Sequence, residues 1–248
     1  MNKNSASGPG TNVTNLKTLI AVILGFGERY NPINALISLK ALQALYLLGL
    51  SAVNAVDAVQ PANTNAKNAR TEAFDLLDKL TTRIGNAFKS IVSNEPAREH
   101  VRSMILIIQS GRVKPKKEQP PVEDPTAEPK TGKENASHKS GYDKQLENFY
   151  KLIQYLASFP AYKPNEADLT VAGLSAFYNE LTVKNQLVTD TQTELNKARI
   201  VRKNVIDHPE TGLVVLAKAS KSYVSSVYGP RSLEYKPITK LKFKTYKS

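Results

Sequence analysis

The chain aligns with itself without a gap when Tyr30 is placed on Tyr162, and this internal repeat limits the possible folds more than any other feature. The pattern Tyr-x-Pro begins at both positions, and Lys-Ser-x-Val-Ser begins at Lys89 and again at Lys221. Further identities at the same offset join Ala35 to Ala167, Leu42 to Leu174, Ala44 to Ala176, Tyr46 to Tyr178, Val56 to Val188, Ala66 to Ala198 and Arg70 to Arg202. We therefore predict two copies of one module that superpose.

Composition separates the two predicted copies from the rest of the chain. Residues 113–140 are rich in Pro, Lys and Glu and poor in large apolar groups. Such a segment cannot bury enough surface to offset its ordering entropy, so we expect it to be extended and exposed. The predicted organisation is a polar tail at 1–13, a first module at 14–112, a linker at 113–140, a second module at 141–235 and a basic tail at 236–248.

Apolar residues recur at helical spacing in both modules. Residues 143–158 place Leu146, Phe149, Leu152, Ile153 and Leu156 three or four positions apart, which predicts an amphipathic helix. Long helices should follow the Tyr-x-Pro elements, and Pro61 should interrupt the first of them. A last helix is expected over about 66–93 and about 211–228.

The two modules end in different patterns. Residues 104–108 form a continuous apolar run, and residues 238–246 alternate apolar and basic side chains with a period of two. Both patterns indicate short strand-like segments. The predicted fold class is therefore all-α, with two tandem copies of a three- or four-helix module that each end in such a segment.

Three motifs of the second copy resemble bacterial helical-repeat proteins that have no known activity. The motifs are Tyr162-x-Pro164-Asn165-Glu166, Ala198-Arg199-x-x-Arg202 and Tyr223-Val224-x-Ser226-Val227-Tyr228-Gly229-Pro230. The resemblance covers most of the second copy and implies a helical repeat. It carries no activity and assigns no functional residue.

The sequence lacks the residue patterns of known catalytic and metal sites. It contains no Cys, which excludes disulfides and cysteine-ligated zinc, and its three His residues have no metal-ligand spacing. Glycine-rich phosphate loops and GxSxG elbows are also missing. We expect no cofactor, no small-molecule substrate and no enzymatic activity. An enzyme of unrecognised type stays open as a further alternative, because acid–base catalysis needs only a few residues.

Two apolar runs raise the question of a membrane or a signal peptide. Residues 18–27 are not followed by a small-x-small cleavage site. Residues 35–53 approach the length of a membrane span, but Lys40 and Gln43 interrupt them. We interpret both runs as buried helices. We expect a protein that does not enter membranes and that resides in the cytoplasm or in a complex assembled there.

The net charge of +12 attracts nucleic acid, anionic membranes or acidic proteins. Four positive groups lie within two helical turns, and three more alternate with an aromatic residue in the tail: Lys197, Arg199, Arg202 and Lys203, then Lys240, Lys242, Phe243 and Lys244. Lysines contact phosphates and aromatic rings stack on bases. Non-specific binding of nucleic acid or another polyanion is therefore the alternative function, beside a simple solvated face and a frayed tail.

The repeat also provides an internal control for the surface of the first copy. Polar residues of the second copy correspond to apolar ones in the first: Asp168 to Leu36, Asn179 to Leu47, Glu180 to Leu48, Thr182 to Leu50, Lys184 to Ala52 and Asn185 to Val53. A cluster of exposed leucines needs a cover. We hypothesise an interface at Leu36, Leu47, Leu48, Leu50 and Val53. The leading hypothesis is a non-enzymatic structural or adaptor protein that acts through protein–protein assembly, with itself or within a large complex.

Overall fold

The computed structural model describes residues 8–110 and 134–245, and this part of the chain is helical and contains no strand. The predicted all-α class is confirmed. The seven α-helices of these residues are α1 (Pro9–Leu24), α2 (Leu39–Ile91), α3 (Glu95–Ser110), α4 (Glu134–Ala157), α5 (Val171–Asp207), α6 (Leu213–Tyr228) and α7 (Lys236–Thr239). Two 3₁₀ turns, Gly27–Arg29 and Ala35–Ile37, connect α1 to α2.

The predicted strand-like segments are not strands. Residues 104–108 lie inside α3, in which Val101, Ile105 and Ile108 are buried at helical spacing. A short apolar run does not by itself distinguish a buried strand from a helix, and here the periodicity of the whole segment decides. Residues 238 and 239 end the short helix α7, and residues 241–245 form neither a helix nor a strand.

Helix α2 runs without interruption through Pro61, so the break predicted there is wrong. Proline removes one amide donor and crowds the carbonyl four residues earlier, which costs free energy without forbidding a helix. The Pro61 ring is exposed, whereas Val56 and Asn63 on either side of it are buried. Burial of these neighbours therefore maintains the helix across the proline.

The predicted linker is shorter in the structure than in the sequence analysis. Helix α4 begins at Glu134, so residues 134–140 are helical rather than extended. Residues 113–133 of the predicted linker and residues 1–7 of the predicted polar tail lie outside the described residues.

Contacts between Cα atoms divide the chain into two compact units that do not follow the predicted tandem modules. Unit 1 combines residues 1–63 with residues 191–248, and unit 2 is formed by residues 64–190. Each unit contains the first half of one predicted copy and the second half of the other. The boundaries at 14–112 and 141–235 therefore do not correspond to the compact parts of the structure.

Unit 1 has its own apolar core, in which α1 packs against α6 and α7. Helix α1 buries Leu16, Leu19 and Ile23 on one face. Gly49 of α2 provides room for Leu213, because a Cβ atom at position 49 would come within 3.0 Å of the Leu213 Cδ1 atom. A side chain at position 49 would therefore require the Leu213 side chain to move by a few tenths of an ångström.

Unit 2 has a separate core, in which α3 packs against α4. Helix α4 buries Phe149, Leu152 and Leu156. The ring of Phe88 in α2 meets that of Phe159 edge to face, with 5.1 Å between the ring centroids. Aromatic pairs of this geometry contribute about 1 kcal/mol beyond the area that they bury.

The Tyr-x-Pro elements make the same hydrogen bond in both units. The buried hydroxyl of Tyr30 donates to the carbonyl of Ile37 at 2.6 Å, and that of Tyr162 donates to the carbonyl of Leu169 at 3.0 Å. The repeat places Ile37 on Leu169 just as it places Tyr30 on Tyr162. Each tyrosine therefore fixes the chain just before the long helix of its unit.

The starts of the two long helices are also capped alike. The Ser38 hydroxyl accepts a hydrogen bond from the Ala41 amide at 3.3 Å, and the Thr170 hydroxyl accepts one from the Gly173 amide at 3.0 Å. Hydroxyl side chains at this position satisfy amides that have no partner within the helix. The cap is thus a local signal that the sequence carries twice at the same offset.

Candidate functional site

Helix α2 presents an exposed apolar face in unit 1. Leu47 and Leu48 are 63% and 59% exposed, which is unusual for large aliphatic side chains at adjacent positions. The exposed residues that continue the same side of the helix are small, and we call the whole set the apolar face: Ala44, Leu47, Leu48, Ser51, Ala55 and Ala58. A shallow groove of about 490 Å³ lies along it.

The apolar face lies in a part of α2 that contains no charge. Residues 41–56 include no Asp, Glu, Lys or Arg. The corresponding residues 173–188 of α5 include Glu180 and Lys184, which form an ion pair at 3.3 Å. The residue of the first copy that corresponds to Glu180 is Leu48. The hypothesis of an apolar, exposed surface at Leu47 and Leu48 therefore agrees with the geometry.

Leu36 is exposed, as 49% of its surface is accessible, but it does not lie on the same helix as Leu47. It belongs to the 3₁₀ turn Ala35–Ile37, and α2 begins only at Leu39. Its counterpart Asp168 is exposed and forms a bidentate ion pair with Arg83 in unit 2. The hydrogen bond from Arg83 lowers the pKa of the Asp168 carboxyl group.

Leu50 and Val53 belong to the core more than to the surface. Both are half-buried and pack against the apolar cluster of unit 1, and Leu50 also lines the groove along the apolar face. The counterpart of Val53 is Asn185, whose side chain accepts a hydrogen bond from the buried Arg70 at 3.1 Å and donates one to Asp143 at 2.7 Å. The asymmetry at this pair is an exchange of a polar network for apolar packing, not an exposed surface.

The basic residues predicted on α5 are not a free patch. Lys197 forms an ion pair with Glu194 at 2.8 Å, and Arg202 is half-buried. Arg199 and Lys203 are exposed on the same helix. A neighbouring carboxylate reduces the attraction of a lysine for phosphate, so this helix face is a weaker anion site than the sequence pattern suggests.

The basic tail is held in place by two asparagines of α1. The Asn12 side chain donates to the Lys244 carbonyl at 2.7 Å and accepts from the Lys244 amide at 3.1 Å, and Asn15 donates to the Lys242 carbonyl at 2.8 Å. Phe243 is only 6% exposed and enters the core of unit 1. Its predicted role of stacking on bases is therefore wrong. Tyr246 lies outside the described residues.

The tail forms one wall of a cleft of about 440 Å³ in unit 1, which we call the lysine cleft. The other walls come from α6 and α7. Four lysines line the cleft: Lys218, Lys221, Lys242 and Lys244. Hydroxyl groups of Ser222, Tyr235 and Thr239 lie among them, and none of the described lining residues is acidic. Lys240 is exposed at the end of α7 but does not line the cleft.

Lys221 is the most constrained of the four lysines. Its ammonium group donates to the carbonyl of Leu241 at 2.7 Å and more weakly to that of Thr239 at 3.4 Å. Desolvation by burial lowers the pKa of this amine. Lys221 thus connects α6 to the tail and holds one positive charge at the base of the cleft.

The corresponding face in unit 2 neutralises its own cations. A cleft between α2 and α3 includes Lys89, the counterpart of Lys221, and two arginines. Arg98 pairs with Glu95 at 3.1 Å and Arg102 pairs with Glu99 at 3.6 Å. The lysine cleft differs from this cleft in having no acidic residue in its lining.

Charge is distributed unequally between the two units. Residues 1–63 and 191–248 contain 16 Lys and Arg against 6 Asp and Glu, a net charge of +10. Residues 64–190 contain 18 and 16, a net charge of +2. Nearly all of the excess positive charge thus belongs to the unit that carries the lysine cleft.

The histidines and carboxylates form no metal site in the described part of the chain. The His208 Nδ1 atom accepts hydrogen bonds from the amides of Glu210 and Thr211, at 3.3 and 3.2 Å, and so caps a turn. The His100 ring packs near that of Tyr155, with 4.6 Å between centroids. Both contacts are structural, and the side chain of His138 lies outside the described residues.

By length and composition, α2 could cross a membrane. Its most apolar 18 residues have a mean hydropathy of 1.4, and 28% of them are buried within the structure. The same criteria are met by core helices of soluble proteins, so they do not identify a membrane protein.

Comparison with protein-family models, curated proteins and solved structures gives no match.

Sequence reasoning did not find two of the four cleft lysines. Lys218 and Lys221 lie three positions apart on α6, a spacing that places them on one side of the helix. This spacing is visible in the sequence, but nothing local shows that the tail packs beside it. The tail is bound by Lys221 of α6 and by Asn12 and Asn15 of α1, which lie at the opposite end of the chain.

Proposed function

We propose that this chain is a non-enzymatic structural protein that assembles with a second copy of itself through the apolar face of α2. The observation that carries the proposal is the exposure of Leu47 and Leu48 within a stretch, residues 41–56, that contains no charge. Covering each leucine would contribute about 1.5–3 kcal/mol, before ordering costs. An exposed cluster of this kind is typical of an interaction surface.

The shape of the apolar face favours a second copy as the partner. Its large residues, Leu47 and Leu48, lie towards the start of α2, whereas the small residues Ala55 and Ala58 line the groove two to three turns later. In a two-fold dimer whose axis is perpendicular to α2, the same surface meets itself in opposite directions. The leucines of one copy would then lie over the alanines of the other, and no pair of like charges would meet.

The experiment replaces Leu47 by Asn and Leu48 by Glu, the residues at the equivalent positions of α5. We expect sedimentation velocity to give about twice the chain mass of 27.3 kDa for the natural protein and a single chain for the double variant. Because both side chains are exposed, helix content should stay unchanged, and the melting temperature of the double variant should not depend on protein concentration. The control exchanges Val183 for Ser and Leu187 for Ala on α5, which removes exposed apolar surface from the other copy and should leave the dimer intact.

Two results would contradict this proposal. A natural protein that sediments as a single chain at about 100 μM would show that the face is not a self-association surface, since functional homodimers form well below that concentration. Flotation of the natural protein, but not of the double variant, with lipid vesicles would assign the face to a membrane instead.

We also infer that the two copies descend from one duplicated module. The first half of each copy packs with the second half of the other copy, so each compact unit combines segments of both. The matching hydrogen bonds of Tyr30 and Tyr162, and the matching caps at Ser38 and Thr170, support this inference. Superposition of residues 30–56 with 162–188 in an experimental structure would test it. The superposition should place Leu42 over Leu174.

A further inference from the structure

The lysine cleft has the properties of a site for phosphate groups. Four amines converge on a concave surface of about 440 Å³, and no carboxylate among its described lining residues competes for them. Lysine contacts phosphate as a point charge through up to three donors. Lys221 uses donors for the carbonyls of Leu241 and Thr239 and can still present one to a ligand.

The tail places Lys242 and Lys244 on the cleft side by a specific arrangement. Lys242 and Lys244 are exposed and line the cleft, whereas Phe243 between them is buried in the core. The backbone hydrogen bonds from Asn12 and Asn15 hold this register. The two lysines are thus positioned by the fold rather than carried on a loose end.

The observations favour a polymer of phosphates over a single small anion. Lys218, Lys242 and Lys244 are exposed, and an exposed lysine gains little from one isolated charge. A polyanion adds the release of its condensed counterions at every phosphate that the protein contacts. The net charge of +10 on unit 1 extends the attraction beyond the cleft itself.

We propose that the lysine cleft binds the phosphodiester backbone of nucleic acid without reading its sequence. Base recognition is not part of the proposal, because Phe243 is buried and cannot stack on a base. The proposal is independent of self-assembly, since the apolar face of α2 contributes no residue to the cleft.

The test measures binding of the full chain to a fluorescein-labelled 20-base-pair DNA duplex by fluorescence anisotropy between 50 and 200 mM NaCl. The cleft variant replaces Lys218, Lys242 and Lys244 by Gln and leaves Lys221 in place, because Lys221 supports the tail. We expect its dissociation constant at about 100 mM NaCl to rise at least about tenfold. The slope of log Kd against log salt should fall by about 0.9 for each phosphate that the variant no longer binds.

A matched control removes the same charge from unit 2. It replaces the exposed Lys79, Lys89 and Lys163 by Gln, and we expect its binding to change less than about threefold. A third variant, with Arg at the three cleft positions, keeps the charge and should bind DNA within about threefold of the natural protein. Circular dichroism melting of all three variants checks that the fold is kept.

Three outcomes would overturn the proposal. The first is a natural protein that does not bind the duplex at 50 mM NaCl. The second is a unit 2 variant that loses as much affinity as the cleft variant, which would show that only total charge matters. The third is displacement of the duplex by poly-glutamate at equal charge concentration, which would assign the cleft to an acidic protein. Selective loss in the cleft variant, with retention in the Arg variant, supports it.

Discussion

A buried tyrosine hydroxyl fixes the chain ahead of the long helix in each unit. Tyr30 and Tyr162 have their rings in the core and donate to a carbonyl seven positions later, so both the apolar ring and the polar end of the side chain are satisfied. Burial raises the pKa of both phenols, and that of Tyr162 reaches about 12. These residues are therefore structural, and their neutral form is the one that the fold favours.

The raised pKa of Tyr162 predicts a loss of stability at high pH. The pKa of this phenol is higher in the folded state than its value of about 10 in the unfolded chain. Its contribution to the free energy of unfolding is therefore complete below pH 10 and is lost as the pH rises towards 12. Tyr162→Phe should therefore lose less of its free energy of unfolding between pH 9.5 and 11.5 than the natural protein. Urea denaturation at several pH values measures this difference.

The control for this prediction is Tyr150→Phe, because Tyr150 is exposed on α4. It should follow the pH dependence of the natural protein. Equal pH dependence in Tyr162→Phe and the natural protein would mean that this phenol does not titrate differently in the folded state. Tyr30→Phe should behave like Tyr162→Phe, since burial raises the pKa of Tyr30 too.

At the scale of the element, the same segment of the repeat has different secondary structure in the two copies. Helix α2 continues from Leu39 to Ile91, whereas the corresponding part of the second copy is divided into α5 and α6. The division lies at Pro209 and Gly212, and a Cβ atom at Gly212 would come within 2.5 Å of the His208 backbone. A tight turn that only glycine can occupy therefore ends α5, while Leu80 at the equivalent position allows α2 to continue.

We expect Pro61 to make α2 less stable than a helix of the same length without an internal proline. Pro61→Ala restores an amide donor for the Asp57 carbonyl and should raise the free energy of unfolding by about 1–3 kcal/mol. Differential scanning calorimetry should give a higher melting temperature. A lower melting temperature for Pro61→Ala would show that the proline is needed for the local geometry.

At the scale of the whole molecule, each compact unit is built from segments that are distant in sequence. Unit 1 needs residues 1–63 as well as 191–248, and its core contains Leu16 and Ile23 beside Leu213 and Val224. Neither predicted module contains a complete core by itself. This arrangement also concentrates the positive charge in unit 1. The basic residues 191–248 of the second copy belong to the same unit as residues 1–63 of the first copy, which contain few acidic residues.

The exchange of halves predicts that the modules do not fold independently. A fragment of residues 1–112 and a fragment of residues 134–248 should each lack cooperative melting, because each leaves half of both cores uncovered. When the two are coexpressed they should copurify at a 1:1 ratio and melt cooperatively. Size-exclusion chromatography and circular dichroism provide the measurements. A fragment of 134–248 that is monomeric and melts cooperatively alone would contradict the prediction.

Local patterns in the sequence were sufficient for the features that depend on neighbouring residues. The apolar spacing of α4 predicted its buried face, from Leu146 to Leu156, because a helix places residues three and four apart on the same side. The exposure of Leu47 and Leu48 followed from comparing the copies, because equivalent positions in a repeat should share one environment. The same comparison says less about Val53, since its polar counterpart Asn185 is hydrogen-bonded to Arg70 and Asp143.

Only the tertiary structure decided which halves of the two copies pack together. The positions of the candidate sites follow from that packing. Along the sequence the positive charge is divided almost evenly, since residues 1–112 and 141–248 carry net charges of +5 and +6. The compact units redistribute it to +10 and +2. The lysine cleft likewise combines distant segments, because Asn12 and Asn15 near the start of the chain bind Lys242 and Lys244, and Lys221 of α6 binds Leu241. Local periodicity determines which face of a helix is apolar, but contacts between distant residues select the partner that covers it.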